Sequence, residues 1–165
     1  SHLINQIKIK NGDKVLIYGA SGSIGTAAVQ LAKIAGARVT SVCSKRNFEM
    51  INSLGSDKVI DYTVANAENQ LGSYKYVIDA VGKSKTSTLK EKSKGALING
   101  GKYLSIDEGV PKTPKGAFLK LRELAESGRF KAVIDKVFPL EKMAEAHNYV
   151  ETGHKRGNVI ITVAD

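Results

Sequence analysis

The run KVLIYGASGSIGTAAVQLAKIAG, residues 14–36, leaves a chain few ways to fold. Its first six residues, KVLIYG, read as a short buried strand that ends in glycine. Glycines recur at positions 19, 22 and 25. From Ser23 onward, Ile24, Ala27, Ala28, Leu31, Ala32 and Ala35 fall at helical spacing, and Gly36 supplies the stop. A strand, a turn nearly bare of side chains and a helix thus follow one another without a spacer. Such a turn suits a pyrophosphate. The first glycine permits the tight turn, the second lets backbone approach the anion, and the third lets the helix pack closely on the strand. Unpaired N–H groups at the helix start then face the negative charge. Thr26 stands where a nucleoside-triphosphate loop needs lysine, which weighs against that chemistry. A tight strand–helix turn with no ligand is the plain alternative.

The rest of the chain repeats the same rhythm. ARVTSVC (37–43), KVIDY (58–62), YKYVIDAVG (74–82) and GKYLSI (101–106) read as further strands. Between the first two, RNFEMINSLG places Phe48, Ile51 and Leu54 on one helix face that ends at Gly55. Strands alternating with helices across short connections predict an α/β fold, a doubly wound parallel sheet with helices on both faces. After Gly109 the rhythm changes. TPKGAFLKLRELAESG predicts a helix with Thr113 as N-cap, Pro114 at its first position and Gly128 as the stop. A strand in FKAVIDKVFP, a helix in LEKMAEAHNYVETG and a terminal strand in NVIITV complete the chain.

A second clue to the ligand lies at the end of the second strand, 18 residues past Gly25. A site that prefers NAD(H) places Asp or Glu there to hold the ribose 2′-hydroxyl. This chain has Cys43 followed by Ser44, Lys45, Arg46 and Asn47. Without a carboxylate a 2′-phosphate meets no repulsion, and hydroxyl, amide and cationic groups can bind it. NADP(H) is therefore expected over NAD(H), with plain surface charge as the other reading of Lys45 and Arg46.

At 165 residues with 42% hydrophobic and 25% charged side chains, the chain can bury a sizeable core. No apolar stretch nears the roughly 20 residues of a membrane span. The single cysteine excludes an internal disulfide, and a cytoplasmic protein is the expectation. The net charge of +9 raises the question of nucleic acid, but 6% aromatic content and the lack of an RNA-binding motif weigh against it. Lys83, Lys85, Lys90, Lys92 and Lys94 read as a solvated helix face. Asp61 and Asp79 end strands, where a carboxylate either faces a ligand or caps a turn. One Cys and three His without paired spacing build no zinc site, so no zinc is expected in this chain, and His147 and His154 read as surface or capping residues.

GDKVLIYGASGSIGTAAVQLAK, SLGSDKVIDY, VIDAVG, GGKYLSI and the ending VIDKVFPLEKMAEAHNYVETGHKRGNVIITV, in this order, resemble the medium-chain dehydrogenases/reductases. The similarity is to their quinone-oxidoreductase-like, zinc-binding-dehydrogenase-like branch and runs over nearly the whole chain. It implies a Rossmann cofactor domain over residues 1–130 and a C-terminal segment, 131–165, that in the family packs on a catalytic domain. By this resemblance Ser21, Gly22, Ser23 and Ile24 meet the pyrophosphate through their backbone. Ser44, Arg46, Asn47 and Tyr62 surround the 2′-phosphate, with Lys45 or Arg46 supplying the charge that relatives carry as lysine at the position of Asn47. Ala80, Val81 and Gly82 line the riboses, and Ser105 and Ile106 lie near the nicotinamide.

Two departures qualify the resemblance. The family's N-terminal catalytic domain has no counterpart here, and only about eight residues separate SIDEG from FLKLRELAESG, where relatives place a sixth strand. Short-chain dehydrogenases, the rival class, need a Tyr with Lys four residues on, which none of the six tyrosines has. The implied activity is hydride transfer between NADP(H) and a carbonyl, quinone or alcohol, with residues 1–165 alone expected to bind cofactor without consuming it. An exposed apolar face on the C-terminal segment makes a homo-oligomer a further expectation. A non-catalytic NADP(H)-binding regulatory or nucleic-acid-contacting module is the alternative.

Overall fold

The computed structural model describes residues 8–84, 86–107 and 116–163. Strand β1 (Lys14–Tyr18) is the axis of the molecule, with Val15, Leu16 and Ile17 fully buried. Because side chains alternate along a strand, both faces of β1 need cover. Val15 and Ile17 pack with Ala28, Val29 and Ala32 of helix α1 (Ser23–Ile34). Leu16 and Tyr18 turn to the opposite core, which holds Val42, Ile60 and Leu89. The alanines that looked merely helical in the sequence are what let α1 lie close to the sheet.

Around this axis stand β2 (Arg38–Cys43), β3 (Lys58–Asp61), β4 (Tyr74–Asp79) and β5 (Leu97–Ser105). Helix α2 (Phe48–Ser53) joins β2 to β3, and α3 (Thr88–Gly95) joins β4 to β5. The strand order is β3-β2-β1-β4-β5, parallel throughout, which is the Rossmann arrangement. From β1 the chain winds first toward β3 and then back past β1 to β4. The connections leaving β1 and β4 therefore diverge and open a crevice at the carboxyl ends of the strands.

The sheet holds five strands among the described residues, with β5 at one edge. The later part forms a separate unit. Helix α4 (Ala117–Glu126) precedes β6 (Ile134–Pro139), which pairs in parallel with β7 (Asn158–Thr162) through the crossover helix α5 (Met143–Glu151). Polar ties bind this unit to the main sheet. Gln30 on α1 exchanges two hydrogen bonds of 2.9 Å with the backbone of Lys131. Gly157 N donates to Ser21 O at 2.8 Å, next to a parallel bridge between Gly22 and Gly157.

Two expectations need correction. Helix α4 begins at Ala117, and the residue before it, Gly116, has a φ of +88°. A left-handed residue cannot be part of a right-handed helix, so α4 begins after Gly116, its N-cap, and not at the position expected from the sequence. Thr113 and Pro114 themselves lie outside the described residues, as does Lys85. Lys90 is not on a solvated face. It is 4% exposed, because α3 turns it inward against β4.

Candidate cofactor cleft

The three glycines of the turn differ in what the fold asks of them. Gly19 has a φ of +78°, and a Cβ there would run into the Val81 side chain. A Cβ on Gly25 would collide with the Gly19 carbonyl oxygen and lie 2.7 Å from the Ala20 backbone. Both are required by the protein's own packing. Gly22 is not. Its φ of −80° and ψ of 177° suit any residue, and the nearest atom to a Cβ would be Gly19 O at 3.7 Å. The space that a side chain could fill there is left open, which favours a ligand over a bare turn. Helix α1 starts at this point with no side-chain cap and no acidic residue in its first turn. Its positive end has no counter-charge on the helix itself.

A cleft of about 450 Å³ opens beside Gly22 at the crossover between β1 and β4, within the range of small-molecule sites. Of the residues singled out from the sequence, it gathers Ser21, Gly22, Tyr62, Ala80 and Val81. Ser23 adjoins it through its hydroxyl, and Ile24 stands 44% exposed on the first turn of α1. The cleft is also walled by Val150, Gly153 and Lys155, which periodicity did not single out. They come from the C-terminal unit, so its β6–α5–β7 fold contributes a wall of the site.

Ser44, Lys45, Arg46 and Asn47 follow the end of β2 as a short 3₁₀ turn. Lys45 and Arg46 are exposed, and Arg46 reaches toward His154 O at 3.5 Å. Asn47 is enclosed at 3% exposure, its Nδ2 donating to Ser44 Oγ at 3.1 Å, so it orients Ser44 and presents little surface of its own. Its Oδ1 has no hydrogen-bond partner among the described residues. Burial, with Asp61 nearby, pushes the Cys43 thiol up to about 12, so the residue in the acid's place is neutral. Asp61, in register with Cys43 across β2 and β3, is turned to Thr63 and accepts from its N at 2.9 Å and its hydroxyl at 2.7 Å.

Gly82 and Ser105 sit apart, in a second cavity of about 400 Å³ built around Asp79. Asp79 Oδ1 accepts the N–H groups of Val81 and Gly82 at 3.0 and 3.1 Å. Its Oδ2 accepts from Tyr103 at 2.9 Å and pairs with Lys90 Nζ at 2.9 Å. Lys90 also donates to the Gly82 carbonyl. Burial alone would raise the Asp79 carboxyl, but the Lys90 ammonium and the surrounding donors hold it below the usual carboxylate value. Asp79 is thus the turn-capping residue of the two alternatives, and it fastens the Ala80–Gly82 loop that walls the main cleft.

The geometry asks which proteins carry this arrangement. Residues 23–114 and 110–161 each match the zinc-binding dehydrogenase family. The chain belongs to that family. It is 37% identical to a mitochondrial NAD(P)H oxidoreductase of Bos taurus, over 92% of the chain and 48% of the relative. It is 33% identical to a chloroplastic NADPH-dependent alkenal/one oxidoreductase of Arabidopsis thaliana, over 91% of the chain and 40% of the relative. The solved quinone oxidoreductase of Coxiella burnetii superposes with a TM-score of 0.86 at 25% identity, over 98% of the chain and 56% of that structure. The chain spans about half the length of the curated relatives it matches.

The family's two groups fare differently against the residues present. Among the described residues no three or more His, Cys, Asp or Glu gather to hold a metal ion, so no zinc chemistry is assigned to them. His147 and His154 are exposed. The nicotinamide cofactor fits, because the space at Gly22, the bare helix end and the cleft coincide. Among the described residues no helix is long and apolar enough to cross a membrane.

Proposed function

We propose that this chain is the cofactor-binding part of an NADP(H)-dependent oxidoreductase that transfers hydride between the nicotinamide and a carbonyl, quinone or alcohol. The observation that carries the reading is the unfilled space at Gly22, facing the cleft at the point where the strand order reverses. The bound cofactor supplies the hydride; the protein's task is to hold and orient it. Ser21, Ser23 and Ile24 present backbone N–H groups to the pyrophosphate beside the bare Gly22, whose own N–H donates to Gly19 O; Ala80 and Val81 border the riboses, and Tyr62 flanks the adenosine end. A preference for the 2′-phosphorylated cofactor is supported by the neutral Cys43 at the end of β2 and by the exposed Lys45 and Arg46 behind it. The carbonyl and quinone substrate class is supported by the names of the alkenal/one and quinone oxidoreductases among the relatives.

Titration calorimetry with NADPH and NADH tests the cofactor choice. NADPH is expected to bind more tightly, by about 1–3 kcal/mol for the partly exposed 2′-phosphate contacts together. Arg46→Ala is expected to narrow that gap while leaving NADH affinity in place. Equal affinities for the two cofactors in the unaltered chain would overturn the preference.

A further inference from the structure

The glycine loop brings no cationic side chain of its own to a pyrophosphate: Gly19 to Thr26 holds neither Lys nor Arg. A cation arrives from the other end of the chain. Lys155, between α5 and β7, donates from Nζ to Ser23 Oγ at 2.6 Å and to Gly157 O at 2.8 Å, and it lines the cleft beside Gly22. Ser23 is the first residue of α1, and that turn has no acidic residue. An ammonium therefore stands at the positive end of a helix dipole, an arrangement that is unfavourable until an anion lies between them.

The lysine is held in place. Its neighbour Gly157 donates to Ser21 O at 2.8 Å and accepts from Ser23 Oγ at 2.7 Å. On the far side Arg156 N donates to Asp135 Oδ2 at 2.9 Å, and the same oxygen accepts from the Tyr149 hydroxyl at 2.6 Å. The loop is thus fastened to the glycine turn in front and to β6 behind, so little side-chain freedom remains to be lost when a ligand arrives.

We infer that Lys155 is the cationic residue of the pyrophosphate site, and that cofactor occupancy fastens the C-terminal β6–α5–β7 unit onto the main sheet through it. This rests on the dinucleotide reading above and adds to it a ligand from a segment outside the nucleotide-binding motif. Coupling of this kind is reciprocal: a ligand bound between Lys155 and the start of α1 stabilises the docked unit, and the docked unit raises affinity.

The test titrates NADPH, NADH and ADP-ribose, which share the pyrophosphate, into the unaltered chain and into Lys155→Ala and Lys155→Gln. Both variants are expected to weaken all three ligands by a common factor of roughly ten- to a hundredfold, with the NADPH to NADH ratio unchanged. Arg46→Ala provides the contrast, because it is expected to change that ratio. In the unaltered chain, saturating NADPH is expected to slow hydrogen exchange at the Gly157 amide, a readout that needs no variant to fold. Unchanged affinities in either folded variant, a changed NADPH to NADH ratio, or unaltered Gly157 exchange would each overturn the role of Lys155 alone. Failure of the unaltered chain to bind any of the three would overturn the dinucleotide reading itself.

Discussion

Gly22→Val is expected to lower NADPH affinity by on the order of a hundredfold or more while the protein stays folded. The two halves of that outcome have separate causes. Folding survives because Gly22 already has an extended backbone that valine favours, and a Cβ meets nothing closer than Gly19 O at 3.7 Å. The stability loss is confined to an apolar residue at the N-cap of α1, about 1 kcal/mol. Binding fails because the branched side chain occupies the space where an anion must approach the helix end. Gly25→Val is the control with the opposite signature, since its Cβ would strike the backbone of Gly19 and Ala20 and disturb the packing of α1 on the sheet. Calorimetry for affinity and circular dichroism for folding separate the two. A folded Gly22→Val protein that still binds NADPH would show that the turn serves the fold alone.

Lys90→Met is expected to destabilise the protein by about 3–5 kcal/mol, the cost of leaving one member of a buried ion pair without its partner. Lys90 and Asp79 pair at 2.9 Å with side-chain exposures of 5% and 2%. Asp79 keeps its bonds from Val81, Gly82 and Tyr103, but no described ion pair then neutralises its charge. Adding Asp79→Asn to Lys90→Met is expected to recover part of the loss, because a neutral amide still accepts the loop N–H groups. The acid limb of stability gives an independent check. Asp79 titrates below its ordinary value when folded, so it contributes stability above the unfolded carboxylate pKa of about 4. That contribution is lost as pH falls through the lower folded value, and in Lys90→Met the acid-dependent loss is expected to shrink. Urea melts of both variants between neutral and acid pH measure it. A Lys90→Met protein with unaltered stability at neutral pH would remove the pair from its place in holding the loop.

Local sequence determined the parts of this molecule whose cause is local. The alternation of apolar runs and helical spacing settles the parallel α/β sheet, because strand and helix periods are written into neighbouring residues. Gly19 and Gly25 announce a tight turn under a close-packed helix, and the structure shows the clashes that forbid a side chain at either. The start of α4 escaped, since Gly116 enters a left-handed conformation that composition alone does not specify.

Tertiary structure decided whatever depends on partners distant in the chain. Lys90 looks solvated in a lysine-rich run until α3 is laid on β4 and Asp79 lies against it. Lys155 stands 132 residues from Ser23, and no period or motif links them before β6 and β7 pair and turn their connecting loop onto the glycine turn. Asn47, which the resemblance sets beside a 2′-phosphate, is enclosed once β2 ends in a 3₁₀ turn. In each case the side chain's surroundings follow from how elements pack. A sequence carries the propensity of each element directly, but the electrostatic fate of a side chain only through the fold that those elements build together.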